Sequence, residues 1–136
     1  MAPEIEQRLL QAALSAREKA YAPYSHFHVG AAVLDELGHV HSGCNVENAA
    51  YPEGTCAEAG AISAMVRAGG RKILAAMVVG EAAQPVTPCG GCRQKLREFA
   101  AADTPIHTAT PQGVNGRFTL AQLLPASFGP DHLHPL

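Results

Sequence analysis

Apolar side chains recur along the chain with two different periods, and the switches between them mark out the elements. Over residues 4 to 20, Ile5, Leu9, Ala12, Ala13, Ala16 and Ala20 fall three or four apart with Glu, Gln, Arg and Lys between them, which predicts an amphipathic helix. Pro23 breaks that pattern within Tyr21-Ala-Pro-Tyr-Ser25, because a proline disfavours helical backbone in the residue before it. Residues 28 to 34 and 39 to 44 then read as two short strands joined at Asp35-Glu36-Leu37-Gly38, a hairpin loop that calls for a glycine. The first of these strands has the apolar character of a central one.

After a loop over 45 to 54, Ala61, Ile62, Met65 and Val66 lie on one side of a second helix spanning about 55 to 68, with Gly69-Gly70 ending it. The unbroken apolar run 73 to 79 predicts a strand buried on both faces. A third helix opens near Cys89, carries Leu96 and Phe99 inward and stops before Pro105. Weaker strand signals follow at 106 to 109 and around 117 to 118, ahead of a short turn at 120 to 124. The order predicts an α/β fold, three layers with helices on both faces of a mixed sheet of about five strands.

At 136 residues the chain fits one domain, 1–136, with one core. Charged residues make up only 16% and the net charge is -2, with Lys and Arg scattered, so there is no electrostatic footprint for a polynucleotide. The expected partner is a small molecule rather than nucleic acid or membrane, since no apolar run approaches a membrane span. The N-terminus MAPEIEQRLL lacks a basic start and an apolar stretch, which predicts a cytoplasmic protein. In that setting four cysteines read as thiols or metal ligands rather than as a disulfide framework.

Three of them stand at or near predicted helix starts: Cys56 in Thr55-Cys-Ala-Glu58, and Cys89 with Cys92 in Pro88-Cys-Gly-Gly-Cys-Arg93. Unpaired N–H groups and the positive end of the helix dipole lower a thiol's pKa there, and the thiolate is the metal-binding form. Three sulfurs around one ion leave a fourth tetrahedral position open, as in a catalytic zinc site. Glu58, in the same first turn as Cys56, could move protons beside such an ion. Each feature also has a plain explanation. Thr55-x-x-Glu58 is a capping box, Cys-x-x-Cys serves redox pairs and structural zinc, and Cys44 could close the site with a fourth sulfur or be buried as a small hydrophobe.

Taken together, Ala20-Tyr-Ala-Pro-Tyr-Ser25, Val29-Gly-Ala-Ala32, Gly43-Cys-Asn-Val-Glu-Asn48, Cys56-Ala-Glu58, Pro88-Cys-Gly-Gly-Cys-Arg-Gln94 and Leu123-Leu-Pro-Ala-Ser-Phe-Gly-Pro130 resemble the cytidine deaminase family in its short, homotetrameric form. The resemblance runs over nearly the whole chain. It implies one Zn2+ per subunit on Cys56, Cys89 and Cys92, with Glu58 as the proton shuttle of a hydrolytic deamination of cytidine or deoxycytidine to the uracil nucleoside and ammonia, in pyrimidine salvage. It further implies that Phe27 stacks on a pyrimidine nucleoside, that Asn45 and Glu47 bind the ribose hydroxyls, and that the Ala57 backbone contacts the base. Ala49, Tyr51 and Phe128 would approach the pocket of a neighbouring subunit.

The chain departs from that family in places. Many relatives carry an arginine directly after the glutamate, where Ala59 stands here. Three thiolates around a dication leave a net negative charge, which Arg93 could offset by donating to a ligand sulfur. His28 replaces a small or apolar residue without being needed as a ligand, and His132 and His134 read as decoration of a mobile tail. Rival readings are a deaminase of another cytosine compound, such as a blasticidin-type antibiotic, a polynucleotide editor, and a non-enzymatic structural-zinc module. The second would need stacking aromatics and a basic channel, and the chain has no Trp, three Tyr and four Phe.

Overall fold

The computed structural model describes residues 1–133, so His134 lies outside the described residues. Helix α1 (Pro3–Arg17) is followed by strands β1 (Val29–Asp35) and β2 (Val40–Cys44), helix α2 (Ala57–Arg67), strand β3 (Ile73–Gly80), helix α3 (Gly90–Phe99), strands β4 (Pro105–Thr110) and β5 (Gly113–Thr119), and the short helix α4 (Leu120–Leu123). The strands form one sheet in the order β2-β1-β3-β4-β5, antiparallel except for β3 and β4. The α/β class and mixed five-stranded sheet expected from the pattern are therefore present, and β1 lies inside the sheet between β2 and β3.

Period-two alternation divides the core between the two faces. Ala32, Leu34, Ala75, Met77 and Val79 pack under Leu9 and Ala13 of α1. Their strand neighbours Val33 and Ala76, with Ile106, face Ala61, Ile62 and Met65 of α2 and Leu96 of α3. The continuous apolar run of β3 feeds both clusters, as a strand covered on both faces must.

Several boundaries move, each for a local reason. The first helix ends at Arg17 rather than 20, because the last amides bond back three residues, Lys19 to Ala16 and Ala20 to Arg17, before Tyr21 N–H turns to the Asn45 carbonyl. The second begins at Ala57 rather than 55: Thr55 exchanges two backbone hydrogen bonds with Val46, leaving Cys56 as the N-cap. Asp35 belongs to β1 and is fully buried rather than lying in the turn. Strand β5 runs over seven residues where only 117 to 118 carried a strand signal. It is an edge strand, and its polar, glycine-rich sequence hides the alternation.

Gly43 brings β2 against the first turn of α2. A Cβ there would fall 2.5 Å from the Ala61 nitrogen and 2.6 Å from the Ala57 carbonyl oxygen, so no side chain fits between strand and helix. That approach seats the N-terminus of α2 beside the end of β2.

Candidate active site

The ends of β1, β2 and β3 meet the N-termini of α2 and α3, and the functional side chains gather there. Cys56 caps α2, Cys89 caps α3, and Cys92 lies one turn into α3. One sulfur from each lies within 4.8 Å of the other two, and Cys56 Sγ stands 3.9 Å from Cys89 Sγ. Tetrahedral zinc with Zn–S bonds of ~2.3 Å sets neighbouring sulfurs about 3.8 Å apart, so the tripod already has the spacing of a zinc site. Cys44, paired with Gly30 in the β1–β2 ladder, joins no metal-capable group among the described residues, and neither does His28.

Electrostatics point the same way. The Cys92 backbone N–H pulls the Cys89 thiol below its ordinary pKa, favouring the thiolate. Burial pushes Cys92 well up, and the negative charges of Glu58, Cys56 and Cys89 push it further. Burial also raises Cys56. The protein by itself thus eases ionisation of Cys89 and opposes that of Cys56 and Cys92, and a cation at their centre would supply the charge those two require.

Glu58 is 94% buried in the first turn of α2, at 6% exposure. No side-chain bond caps this helix, so the capping-box explanation of Glu58 does not hold. Desolvation raises its pKa, opposed by its own backbone N–H, the Cys92 thiol and the field of Lys95. A buried carboxyl whose proton affinity is raised suits proton transfer near neutrality.

A cavity of about 260 Å³ opens in front of this group, lined by Phe27, Asn45, Cys56, Ala57, Glu58 and Cys89. Val29, Val78, Val86 and Thr87 complete its wall. Nothing in the sequence pattern singles out the last two, although Thr87 stands two residues before Cys89; Val86 lies over Gly80 at the end of β3, where an added Cβ would fall 3.0 Å from it. Phe27 follows His26, whose φ of 60° is left-handed and turns the chain sharply. Asn45 fixes that turn to β1, accepting from Val29 N–H at 2.9 Å and donating to the Phe27 carbonyl at 2.8 Å.

Glu47 lies apart from that cavity. It lines an adjoining hollow of about 370 Å³ with Tyr24, Ser25, Asn48, Tyr51 and Gly54. Its carboxylate accepts from the backbone N–H groups of Tyr24 and Ser25 and from the Ser25 hydroxyl, and the Ser25 bond holds its pKa down. Ala49 and Tyr51 are exposed, and Phe128 stacks on His132 at 5.1 Å, outside both hollows. His132 is thus tied to the chain end by this stacking and by accepting from Gly129 N–H.

The hydrogen bonds of Arg93 do not go to a ligand sulfur. Its guanidinium donates to the Pro88 carbonyl at 2.7 Å, to the Leu123 carbonyl at 2.7 Å and to the Thr87 hydroxyl at 2.9 Å. It braces the loop that delivers Cys89 instead.

Known proteins resemble the chain in both sequence and fold. A family profile described as the cytidine and deoxycytidylate deaminase zinc-binding region matches residues 3–108. This chain belongs to the cytidine deaminase family. It is 42% identical over 127 residues to the cytidine deaminase of Sporosarcina psychrophila, covering 93% of each chain. It is 39% identical over 133 residues to that of Mycobacterium tuberculosis, covering 96% of each. The crystal structure of cytidine deaminase from Burkholderia pseudomallei superposes with a TM-score of 0.85 at 42% identity, over 94% of this chain and all of that one. A cytidine deaminase fold and enzymatic deamination are therefore established for the chain at the level of its family. No helix among the described residues is long and apolar enough to cross a membrane.

Proposed function

We propose that the chain is a zinc-dependent hydrolase that converts cytidine and 2′-deoxycytidine to the uracil nucleosides and ammonia, acting on free nucleosides of pyrimidine salvage in the cytoplasm. The observation that carries this is a cluster of three sulfurs at zinc spacing, two of them on the wall of the cavity that the buried carboxyl of Glu58 also lines. Cys56, Cys89 and Cys92 would hold the zinc, which when bound supplies a Lewis acid with one open position that acidifies water.

Everything else falls to the protein's own groups. Glu58 accepts one proton from the attacking water and delivers it to the ring nitrogen beside C4, where it stays in the product. It then takes the second proton from the hydroxyl now on C4 and passes it to the amine, so that the C4 carbonyl forms as the C4–N bond breaks and ammonia leaves. Phe27, on the cavity wall, would offer an aromatic face to the pyrimidine, and the Ala57 backbone, on the same wall, would meet the base edge. Asn45 spends one donor and one lone pair on backbone and keeps another of each for a ribose hydroxyl. Glu47, an acceptor in the next hollow, suits the far side of the sugar.

Tyr21, Tyr24, Val46, Tyr51 and Phe128 are exposed apolar side chains near this mouth or at the chain end, each with 47% or more of its surface accessible. Such exposure supports a homotetramer in which Ala49, Tyr51 and Phe128 complete a neighbour's pocket. Incubation of zinc-loaded protein with cytidine, deoxycytidine and free cytosine, followed by absorbance and ammonia release, tests the reading. Turnover of both nucleosides and sparing of the free base is the expected result; a nucleoside left unchanged by fully metallated protein overturns it.

A further inference from the structure

Asp35 ends β1 with none of its surface exposed, at the opposite end of the strand from Val29 and the thiol cavity, about 20 Å away at the rise of an extended chain. One of its oxygens is explained by the hairpin: Oδ1 accepts the backbone N–H groups of Leu37 and His39, each at 2.9 Å. The other takes no part in the turn. Oδ2 faces two imidazoles, His41 Nε2 at 2.7 Å and His39 Nδ1 at 4.0 Å, the latter too long for a hydrogen bond. The two rings stand nearly perpendicular, their planes at 87°. One donor atom from each of Asp35, His39 and His41 lies within 4.8 Å of the others.

We propose that Asp35, His39 and His41 form a second metal site, for zinc or a similar divalent transition ion, independent of the three cysteines. Three observations carry this. Ligands bonded at ~2.0–2.1 Å in a tetrahedron sit about 3.4 Å apart, and the 2.7 and 4.0 Å observed from Oδ2 straddle that value, each within about 0.7 Å of it. His39, with its side chain 66% exposed, has the freedom to make one of them, and leaves the outer side of the ion open to water.

The second observation is charge. Asp35 is a buried anion whose ion-pair partners, among the described residues, are these two histidines alone, so no permanently charged cation balances it. Burial pushes its carboxyl up, but hydrogen bonds from His41, His39 and Leu37 outweigh that and keep it ionised. A dication supplies the missing charge. The third is rigidity: two backbone donors fix the carboxylate plane, and Gly70 packs so close that a Cβ there would fall 2.8 Å from Oδ2. Two imidazoles and one carboxylate select zinc, cobalt or nickel over calcium or magnesium, which demand a cage of oxygens.

The test is calorimetric and spectroscopic titration with Co2+ of protein carrying a single equivalent of zinc by metal analysis. Wild type should take up one further equivalent, with weak d–d absorption and no new thiolate-to-metal band. His39→Gln should weaken that uptake at least about tenfold. Because the side chain is exposed and the hairpin bonds to residue 39 use its backbone, melting temperature and cysteine-bound zinc should stay unchanged. A wild type that accepts no second equivalent, or a His39→Gln protein that binds it as tightly as wild type, overturns the proposal and leaves Asp35–His41 as a hydrogen bond only.

Discussion

Replacing Gly43 with alanine should damage catalysis far more than its single methyl suggests. The new Cβ would start 2.5 Å from the Ala61 nitrogen and 2.6 Å from the Ala57 carbonyl, and ordinary contact begins at 3.4 Å. Strand β2 and helix α2 must therefore part by about 0.9 Å, a move both neighbours resist because the contacting atoms are backbone. Whichever element yields, the result at the site is the same: β2 leads into Asn45, while α2 begins with Cys56, Ala57 and Glu58. The two halves of the pocket separate by most of an ångström. Misplacement on that scale costs about 10²-fold in rate, and forcing a methyl into close-packed backbone costs about 1–3 kcal/mol of stability. Cytidine deamination followed by absorbance, thermal melting and zinc content measured on the same sample separate the effects. Gly43→Ala should retain zinc, melt several degrees lower and lose kcat/KM, whereas Ser42→Ala on the exposed neighbouring position should match wild type. A Gly43→Ala protein within twofold of wild-type kcat/KM would show that the strand–helix contact does not position the site.

Other substitutions probe separate parts of the structure. Arg93→Ala removes three hydrogen bonds that hold Pro88, Thr87 and Leu123, so it should lower both melting temperature and zinc retention, and Arg93→Lys, lacking the planar fork, should restore little of either. Cys92→Ser should lose the one equivalent of zinc held by the cysteines, read as loss of the thiolate-to-metal band on Co2+ substitution, while Cys44→Ser, outside the tripod, should keep it. Glu6, on α1, accepts from Arg117 and contacts His107 at 2.6 Å; the Arg117 bond holds its pKa below the ordinary value of 4.5 despite partial burial. Its contribution is thus complete above that ordinary value and is lost as pH falls through the lowered one, so Glu6→Gln should reduce the urea midpoint at pH 7 and converge with wild type as the pH falls below the lowered value. A constant difference across that range would assign the loss to packing instead.

Much of the fold is legible in the sequence because its signals are local. The amphipathic spacing of Ile5, Leu9 and Ala13, the unbroken run of β3 and the glycine-bearing hairpin loop each report their own environment, and the helices and strands lie within a few residues of where those patterns put them. What fails to show is whatever depends on a distant partner. Strand β5 exists because β4 offers it a ladder, not because its own residues alternate. Helix α2 starts late because Val46 claims Thr55. The cysteines and Glu58 stood out because few roles combine those residue types near helix starts. Adjacency to Cys92 suggests a sulfur partner for Arg93, whereas its guanidinium donates to the Pro88 and Leu123 carbonyls and the Thr87 hydroxyl, partners that sequence adjacency does not reveal. Asp35 looked like a turn residue, and its burial against His41 became visible only when β2 was paired with β1.

The central claim is that Glu58 and the three-cysteine zinc act together on a cytidine-type nucleoside, and one paired measurement tests it most directly. Wild type and Glu58→Gln, each carrying one equivalent of zinc by metal analysis, are assayed side by side for loss of cytidine. The amide keeps the shape of the carboxyl and cannot relay a proton, so turnover should fall by about 10²–10⁴-fold with zinc undisturbed. A Glu58→Gln protein that deaminates cytidine at the wild-type rate, or a metal-replete wild type that spares it, would contradict the claim.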